Sequence, residues 1–155
     1  MKMRKLMKDK NLTLSILFFI GRLFLFLSLP MSGIKSYGDF WNFFQIAGMG
    51  TPFINIWVEF PPVFPFISRI VYLLTSGREH AYILLMAVLF SMIQAGTIYL
   101  VGCILEKIGK ESRNERLIVY FVITFGVFYG WAYFDSFSVF FLILGVYFFI
   151  TEKDV

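Results

Sequence analysis

Two carboxylates, those of Asp39 and Glu59, lie in one stretch of a strongly apolar chain, together with the amides of Asn42, Gln45 and Asn55. The stretch covers residues 38–65 and reads GDFWNFFQIAGMGTPFINIWVEFPPVFP, with no long apolar run. Because the flanking segments have the composition of membrane spans, we expect both carboxylates to lie at a membrane face, where an ionised group calls for a functional explanation. A carboxylate there can accept a proton from an attacking hydroxyl while staying close to a lipid-borne substrate.

Asp39 is the first candidate for that base. Its alternative role is structural, since Asp is favoured at the N-cap of a helix and Gly38 precedes it. Glu59 lies just before a Pro-Pro pair, where it could position a sugar or pair with Arg69. The alternative for Glu59 is an ordinary loop glutamate that faces water.

Arg22 is a further candidate because it falls near the middle of the first apolar segment. A charge at that depth needs a partner, a phosphate or a path to the interface. Two interpretations stay open. The side chain either snorkels toward the outer face past Ser28, or it binds a lipid phosphate.

No pattern indicates a metal or a soluble cofactor. His80 has no His, Cys or paired carboxylate at the spacing of metal ligands. Walker, dinucleotide-binding, G-x-S-x-G and H-E-x-x-H motifs are missing from the sequence. The single cysteine, Cys103, allows no intrachain disulfide and is interpreted as a packing residue.

The elements that must position these residues follow from composition. Of 155 residues, 59% are hydrophobic and only 15% are charged, which is too apolar for a soluble domain. A spanning helix needs about 20 mainly apolar residues. Segments 12–29, 81–105 and 117–134 meet or nearly meet this requirement, and 136–150 is a shorter candidate. We therefore predict a single all-α membrane domain over residues 1–155, with about four transmembrane helices.

Residues 30–80 form the predicted first external loop, which contains two interfacial helices. In segment 37–47 we expect the polar face to point to water or protein and the aromatic face to point to lipid. That segment has Asp39, Asn42 and Gln45 on one face and Phe40, Phe43, Phe44 and Ala47 on the other. Segment 63–76 divides in the same way, and it covers only about 21 Å against a hydrocarbon core of about 30 Å. Its predicted polar side contains Pro65, Ser68, Arg69, Tyr72 and Thr75, and its apolar side contains Phe64, Ile67, Ile70, Val71 and Leu74.

Orientation follows from the basic residues, which concentrate in two segments. These are Lys2, Arg4, Lys5, Lys8 and Lys10 before the first span, and Lys107, Lys110, Arg113 and Arg116 between the second and third. Both segments are predicted to be cytoplasmic, which places both termini in the cytoplasm of a plasma-membrane protein. The net charge of +4 is therefore a topology signal, and no nucleic-acid partner is expected.

Several motifs in this order resemble a known family. An apolar segment with an internal Arg22 is followed by GDFWNFFQIAGMGTPF, by NIWVEFPPVFP and later by FDSFSVFFLILGVYFF. Together they resemble the N-terminal part of GT-C superfamily glycosyltransferases. These polytopic, mannosyltransferase-like enzymes transfer a sugar from a polyprenyl phosphate carrier on the extracytoplasmic side. The resemblance implies a catalytic acidic residue and two membrane-parallel helices in the first external loop.

Carried over by position, the resemblance makes Asp39 the general base that deprotonates the acceptor. It places Glu59 and Arg69 near the substrate pocket and lets Arg22 meet the donor phosphate. The lipid-linked sugar is then a substrate, no cofactor is required, and the acceptor is a hydroxyl of a glycan, a lipid or a protein. Because no second acid completes a D-x-D pair with Asp39, no bridging metal is expected. Such enzymes have many more spans, so we expect this chain to be an N-terminal fragment.

Two other classes of function are compatible with the sequence. One is a non-catalytic membrane subunit that assembles with other helices through its aromatic faces and the Gly126-x-x-x-Gly130 pair, a pattern typical of close helix packing. The other is a small transporter component.

Overall fold

The computed structural model describes residues 9–30, 39–59, 62–109, 113–126 and 134–152. These residues form six helices. They are α1 (Lys10–Ser28), α2 (Phe40–Met49), α3 (Val63–Leu74), α4 (Glu79–Ile108), α5 (Arg113–Gly126) and α6 (Asp135–Glu152). The only β feature in these ranges is an isolated bridge between Pro52 and Ile56. The predicted all-α class is confirmed for the described part of the chain.

Three helices, α1, α4 and α6, are long and apolar enough to cross a membrane, fewer than the four predicted. The predicted span 117–134 corresponds to α5, whose 14 residues reach only about 21 Å. Its remainder, residues 127–133, lies outside the described residues. The short segment 136–150 was the weakest candidate, yet α6 has 18 residues and meets the criterion.

Helix α4 is the centre of the bundle and contacts each of the other five described helices. It is antiparallel to α1, because Asn11 near the start of α1 packs against Gly102, while Arg22, farther along α1, bonds to Gln94. Helix α5 runs parallel to α1, since the Phe18 ring packs on that of Phe121, with centroids 5.4 Å apart, and Arg22, one turn farther along α1, bonds to the carbonyl oxygen of Phe125. The helices thus follow the alternating direction that the basic residues predict.

The apolar core divides into two clusters along the bundle. The outer cluster joins α2 and α3 to α1, α4 and α6, and its buried members are Phe26, Phe40, Phe43, Phe64, Val71, Tyr82, Ile83, Met86, Ala87, Phe90 and Phe137. The inner cluster joins α1, α4 and α5, with Phe18, Ala95, Ile98 and Leu117 buried. The Arg22–Gln94 contact lies between the two clusters.

Small residues allow the closest helix approaches. A Cβ on Gly102 would lie 2.6 Å from side-chain atoms of Asn11, and one on Gly21 would lie 2.8 Å from the ring of Phe125. A Cβ on Gly126 would meet no described atom within 4 Å, and Gly130 lies outside the described residues. The close packing expected at the G-x-x-x-G pair is therefore not made by Gly126 with the described part of the chain.

Helices α2 and α3 are the two short helices predicted in the external loop, but their faces are not oriented as predicted. Phe40 and Phe43 are 2% and 1% exposed inside the outer cluster, so the aromatic face of α2 packs on protein and the prediction that it faces lipid is wrong. In α3, Ser68 is buried while Ile70 and Leu74 are exposed. The buried face of α3 consists of Phe64, Pro65, Ser68 and Val71, so it takes two residues from each of the predicted sides.

Candidate functional site

Asp39 immediately precedes α2, outside the three helices that are long enough to cross a membrane. Its carbonyl oxygen accepts from the Phe43 backbone N–H at 2.9 Å, as expected for the residue before a helix. Its side chain makes no capping hydrogen bond to the backbone of α2, whose residues are all described. The carboxylate is partly buried and is not used as an N-cap ligand.

A second carboxylate acts on Asp39 from the start of α6. The pKa of Asp39 is raised, first by burial and then by the negative charge of Asp135, while a hydrogen bond from Asn42 opposes the rise. Aromatic packing brings α6 to this position, because the ring of Phe134 lies 6.0 Å from that of Phe43. A carboxylate with a raised pKa is a stronger base toward an acceptor hydroxyl.

Asp135 was not among the residues predicted for the site. In sequence it follows an apolar segment and would pass for an ordinary helix start. The predicted topology nevertheless places Asp135 near Asp39, since the third segment ends on the same membrane face as the external loop. Two acids on one face could have been considered together.

Glu59 and Arg69 are not brought together. Glu59 is exposed in the loop. Arg69 donates from Nη1 to the carbonyl oxygen of Ala47, and its guanidinium lies over the Tyr72 ring, 5.6 Å from the centroid. Ala47 belongs to the last turn of α2, where carbonyl groups have no partner within the helix. Within the described residues Arg69 thus connects α3 to the end of α2, and it forms no ion pair with Glu59.

Arg22 is buried in the bundle, with 2% of its surface exposed. Its Nη2 donates to Oε1 of Gln94 at 2.8 Å and to the carbonyl oxygen of Thr124 at 3.2 Å, while Nη1 donates to that of Phe125 at 3.4 Å. The guanidinium therefore does not follow the surface of α1 toward Ser28. Thr124 and Phe125 are in the last described turn of α5, so the guanidinium connects α1 to both α4 and α5.

Arg22 and Asp39 lie at different depths along the bundle. Phe26 lies one turn beyond Arg22, and its ring is 6.1 Å from that of Phe40, the residue after Asp39. A cavity of about 10 Å³ beside Arg22 has room for about one water molecule. It is lined by Arg22, Phe26, Ala87, Phe90, Ser91 and Gln94. Binding of a donor phosphate by Arg22 stays a prediction.

No set of three or more His, Cys, Asp or Glu residues within the described ranges is arranged to hold a metal ion. Asp39 and Asp135 lie at the same end of the bundle, where the charge of Asp135 contributes to the raised pKa of Asp39. Between the two apolar clusters, the guanidinium of Arg22 is bonded to neutral oxygens.

The described residues form an all-helical fold with three helices apolar enough to cross a membrane, and a carboxylate at the start of α2 has a pKa raised by burial and by Asp135. No protein-family model matches the chain, and no curated protein or solved structure matches it either.

Proposed function

We propose that the chain is the membrane portion of a GT-C-type hexosyltransferase, with Asp39 as general base. The observation that carries this proposal is the position of Asp39. Its carboxylate is partly buried at the start of a short helix outside the spans, is not engaged in capping, and has a pKa raised by burial and by Asp135. This is the environment that an acceptor hydroxyl requires of its base.

In the proposed reaction, Asp39 takes the proton of the acceptor hydroxyl as the oxygen attacks the anomeric carbon of the sugar. A new glycosidic C–O bond forms on the face opposite the leaving group. The C–O bond to the polyprenyl phosphate breaks, and the phosphate leaves with the electron pair. The configuration at the anomeric carbon is inverted, and neither a metal nor a cofactor takes part.

The other predicted site residues have different roles in the proposal. Glu59 is exposed at the same loop and is free to bind sugar hydroxyl groups. Arg69 acts as a positioning residue, because it connects α3 to α2 and so fixes the helix that Asp39 begins. Arg22 would reach a donor phosphate only by exchanging its bonds to Gln94 and to α5.

The direct test is transfer of radiolabelled hexose from a polyprenyl phosphate donor by membranes that contain the full-length protein. Asp39→Asn should lower the rate by about 10²- to 10⁴-fold, the usual contribution of a general base. Glu152→Gln, at the opposite end of α6, is the matched control and should keep wild-type activity. Wild-type transfer by Asp39→Asn would show that the base is misassigned.

The acid pair makes a separate prediction about pH. Asp39 is active as the ionised form, so the rate rises with pH through its pKa. Asp135→Asn removes the charge that raises this pKa and should move the acidic limb of the kcat/KM profile to lower pH. Asp135→Glu keeps the charge and should leave the limb in place. An unshifted limb in Asp135→Asn would argue against Asp39 as the titrating base.

The proposal requires Asp39 to be on the extracytoplasmic side. In a Cys103→Ser background, cysteine introduced at Asn55 should react with an impermeant maleimide applied to intact cells, whereas cysteine at Ser112 should react only after the membrane is opened. Equal labelling of both positions from outside would overturn the orientation.

A second candidate, a non-catalytic subunit that assembles with other helices, is favoured by a different observation. Helix α6 has only one buried residue among those described and exposes large apolar side chains such as Phe141, Leu142 and Phe149, and Gly126 faces no described atom. Large exposed apolar surfaces mark lipid or protein contacts. If this candidate is correct, Gly126→Leu will change the size of the complex extracted in mild detergent while Asp39→Asn leaves all phenotypes unchanged.

A further inference from the structure

A groove opens between α1 and α5 at the end of the bundle opposite Asp39. The two helices are in close contact at Gly21 and Phe125, and the Phe18 ring lies 5.4 Å from that of Phe121. Toward their first residues the helices separate and leave a space of about 350 Å³. The groove is lined by Lys10, Thr13, Leu14, Asn114 and Ile118.

Polar and aliphatic side chains line different parts of the groove. Lys10 and Asn114 stand near the first residues of their helices, and Thr13 adds a hydroxyl. Leu14 and Ile118 lie one turn deeper, toward the contact of the two helices. A cation and hydrogen-bonding groups thus form the rim at the end of two apolar helices, and aliphatic side chains form the floor.

We propose that this groove binds the headgroup and glycerol region of an anionic glycerophospholipid. The ligand is proposed to be anionic because Lys10, the charged side chain of the lining, would complement its negative charge. Basic pockets between helices on the cytoplasmic side are suited to anionic headgroups, and the basic segments predict that this end is cytoplasmic. A space of this size lies within the usual range of small-molecule sites.

The helix N-terminus does not supply the attraction. Asp9 accepts hydrogen bonds from the backbone N–H groups of Asn11 and Leu12, at 3.0 and 3.2 Å, so these donors of α1 are already used. The aliphatic floor distinguishes a lipid from free phosphate, since Leu14 and Ile118 offer nothing to a small hydrated anion. The site is independent of the proposed transferase activity.

The test is a lipid titration of the purified chain in neutral detergent, read by native mass spectrometry. Phosphatidylglycerol is compared with phosphatidylcholine of the same acyl chains, and glycerol 3-phosphate is added as a competitor that lacks those chains. The variants are Lys10→Gln, which removes the charge, and Ile118→Trp, which fills the floor. Lys107→Gln is the matched control, because Lys107 is at the same end of the bundle but does not line the groove.

We expect one phosphatidylglycerol to be retained in preference to phosphatidylcholine. Lys10→Gln should weaken this retention about fivefold, the effect of one basic residue near an anionic headgroup. Ile118→Trp should abolish it with an unchanged circular dichroism spectrum, and Lys107→Gln should leave it unchanged. Equal retention of the two lipids, equal effects of Lys10→Gln and Lys107→Gln, or full displacement by glycerol 3-phosphate would each overturn the proposal.

Discussion

The bond between Arg22 and Gln94 should contribute a measurable coupling energy to the stability of the bundle. It is buried and 2.8 Å long, and its donor is charged. Hydrogen bonds to charged groups contribute about 1.5–3 kcal/mol in soluble proteins, whereas polar pairs between membrane helices reach at most about 1.7 kcal/mol. We therefore expect a coupling energy of about 1.5 kcal/mol.

The perturbation is a double-mutant cycle of Arg22→Leu and Gln94→Leu. Each single change leaves one buried polar group of the pair without the other, so the double variant should lose less stability than the two single variants added together. The free energy of unfolding is measured in micelles of neutral detergent with increasing sodium dodecyl sulfate.

Ser15→Ala combined with Arg22→Leu is the control, because Ser15 lies about two turns away on α1 and bonds to Ala95. Those two changes should be additive within about 0.5 kcal/mol. A coupling energy below about 0.5 kcal/mol between Arg22 and Gln94 would refute the view that their hydrogen bond stabilises the bundle.

Two further predictions concern packing. Gly102→Ala should destabilise the chain by about 1–3 kcal/mol, because the new Cβ would lie 2.6 Å from the Asn11 side chain. Gly145→Ala, in a helix position with no described atom within 4 Å, should be neutral or stabilising in the same unfolding assay; a comparable loss in both variants would contradict the packing argument. Ser68→Ala should cost about 1–3 kcal/mol, since the buried Tyr82 hydroxyl loses its partner at 2.6 Å. If Tyr82→Phe together with Ser68→Ala costs as much as the two single losses combined, the hydrogen bond is not the cause.

The long helices could be predicted from sequence because apolar length is a local property. Helices α1, α4 and α6 each begin and end within a few residues of the ends of a predicted span. The faces of α2 and α3 could not be predicted in this way. A helical period separates one side of a helix from the other, but it does not say whether lipid or protein covers each side. Ser68 is buried because α2 and α4 both offer it a hydrogen-bond partner.

The candidate site, too, depends on contacts between helices that the local sequence does not specify. Asp39 could be selected from its type and position, but the influence of Asp135 depends on the packing of α6 against α2. Arg22 was recognised as a charge that needs a partner. Gln94 was not named as that partner, although it is a polar residue inside the predicted second span. Pairing polar residues at matching depths in successive spans would have suggested it.

The wide separation of Arg22 and Gln94 along the chain has a consequence for membrane insertion. Gln94 is 72 residues beyond Arg22, and the α5 carbonyls that also bind the guanidinium are synthesised later still. When α1 enters the translocon, an arginine near its centre disfavours release into lipid by about 3 kcal/mol. We infer that α1 remains beside the translocon until α4 has been made. On this inference, membrane insertion of α1 is coupled to its packing against α4 and α5.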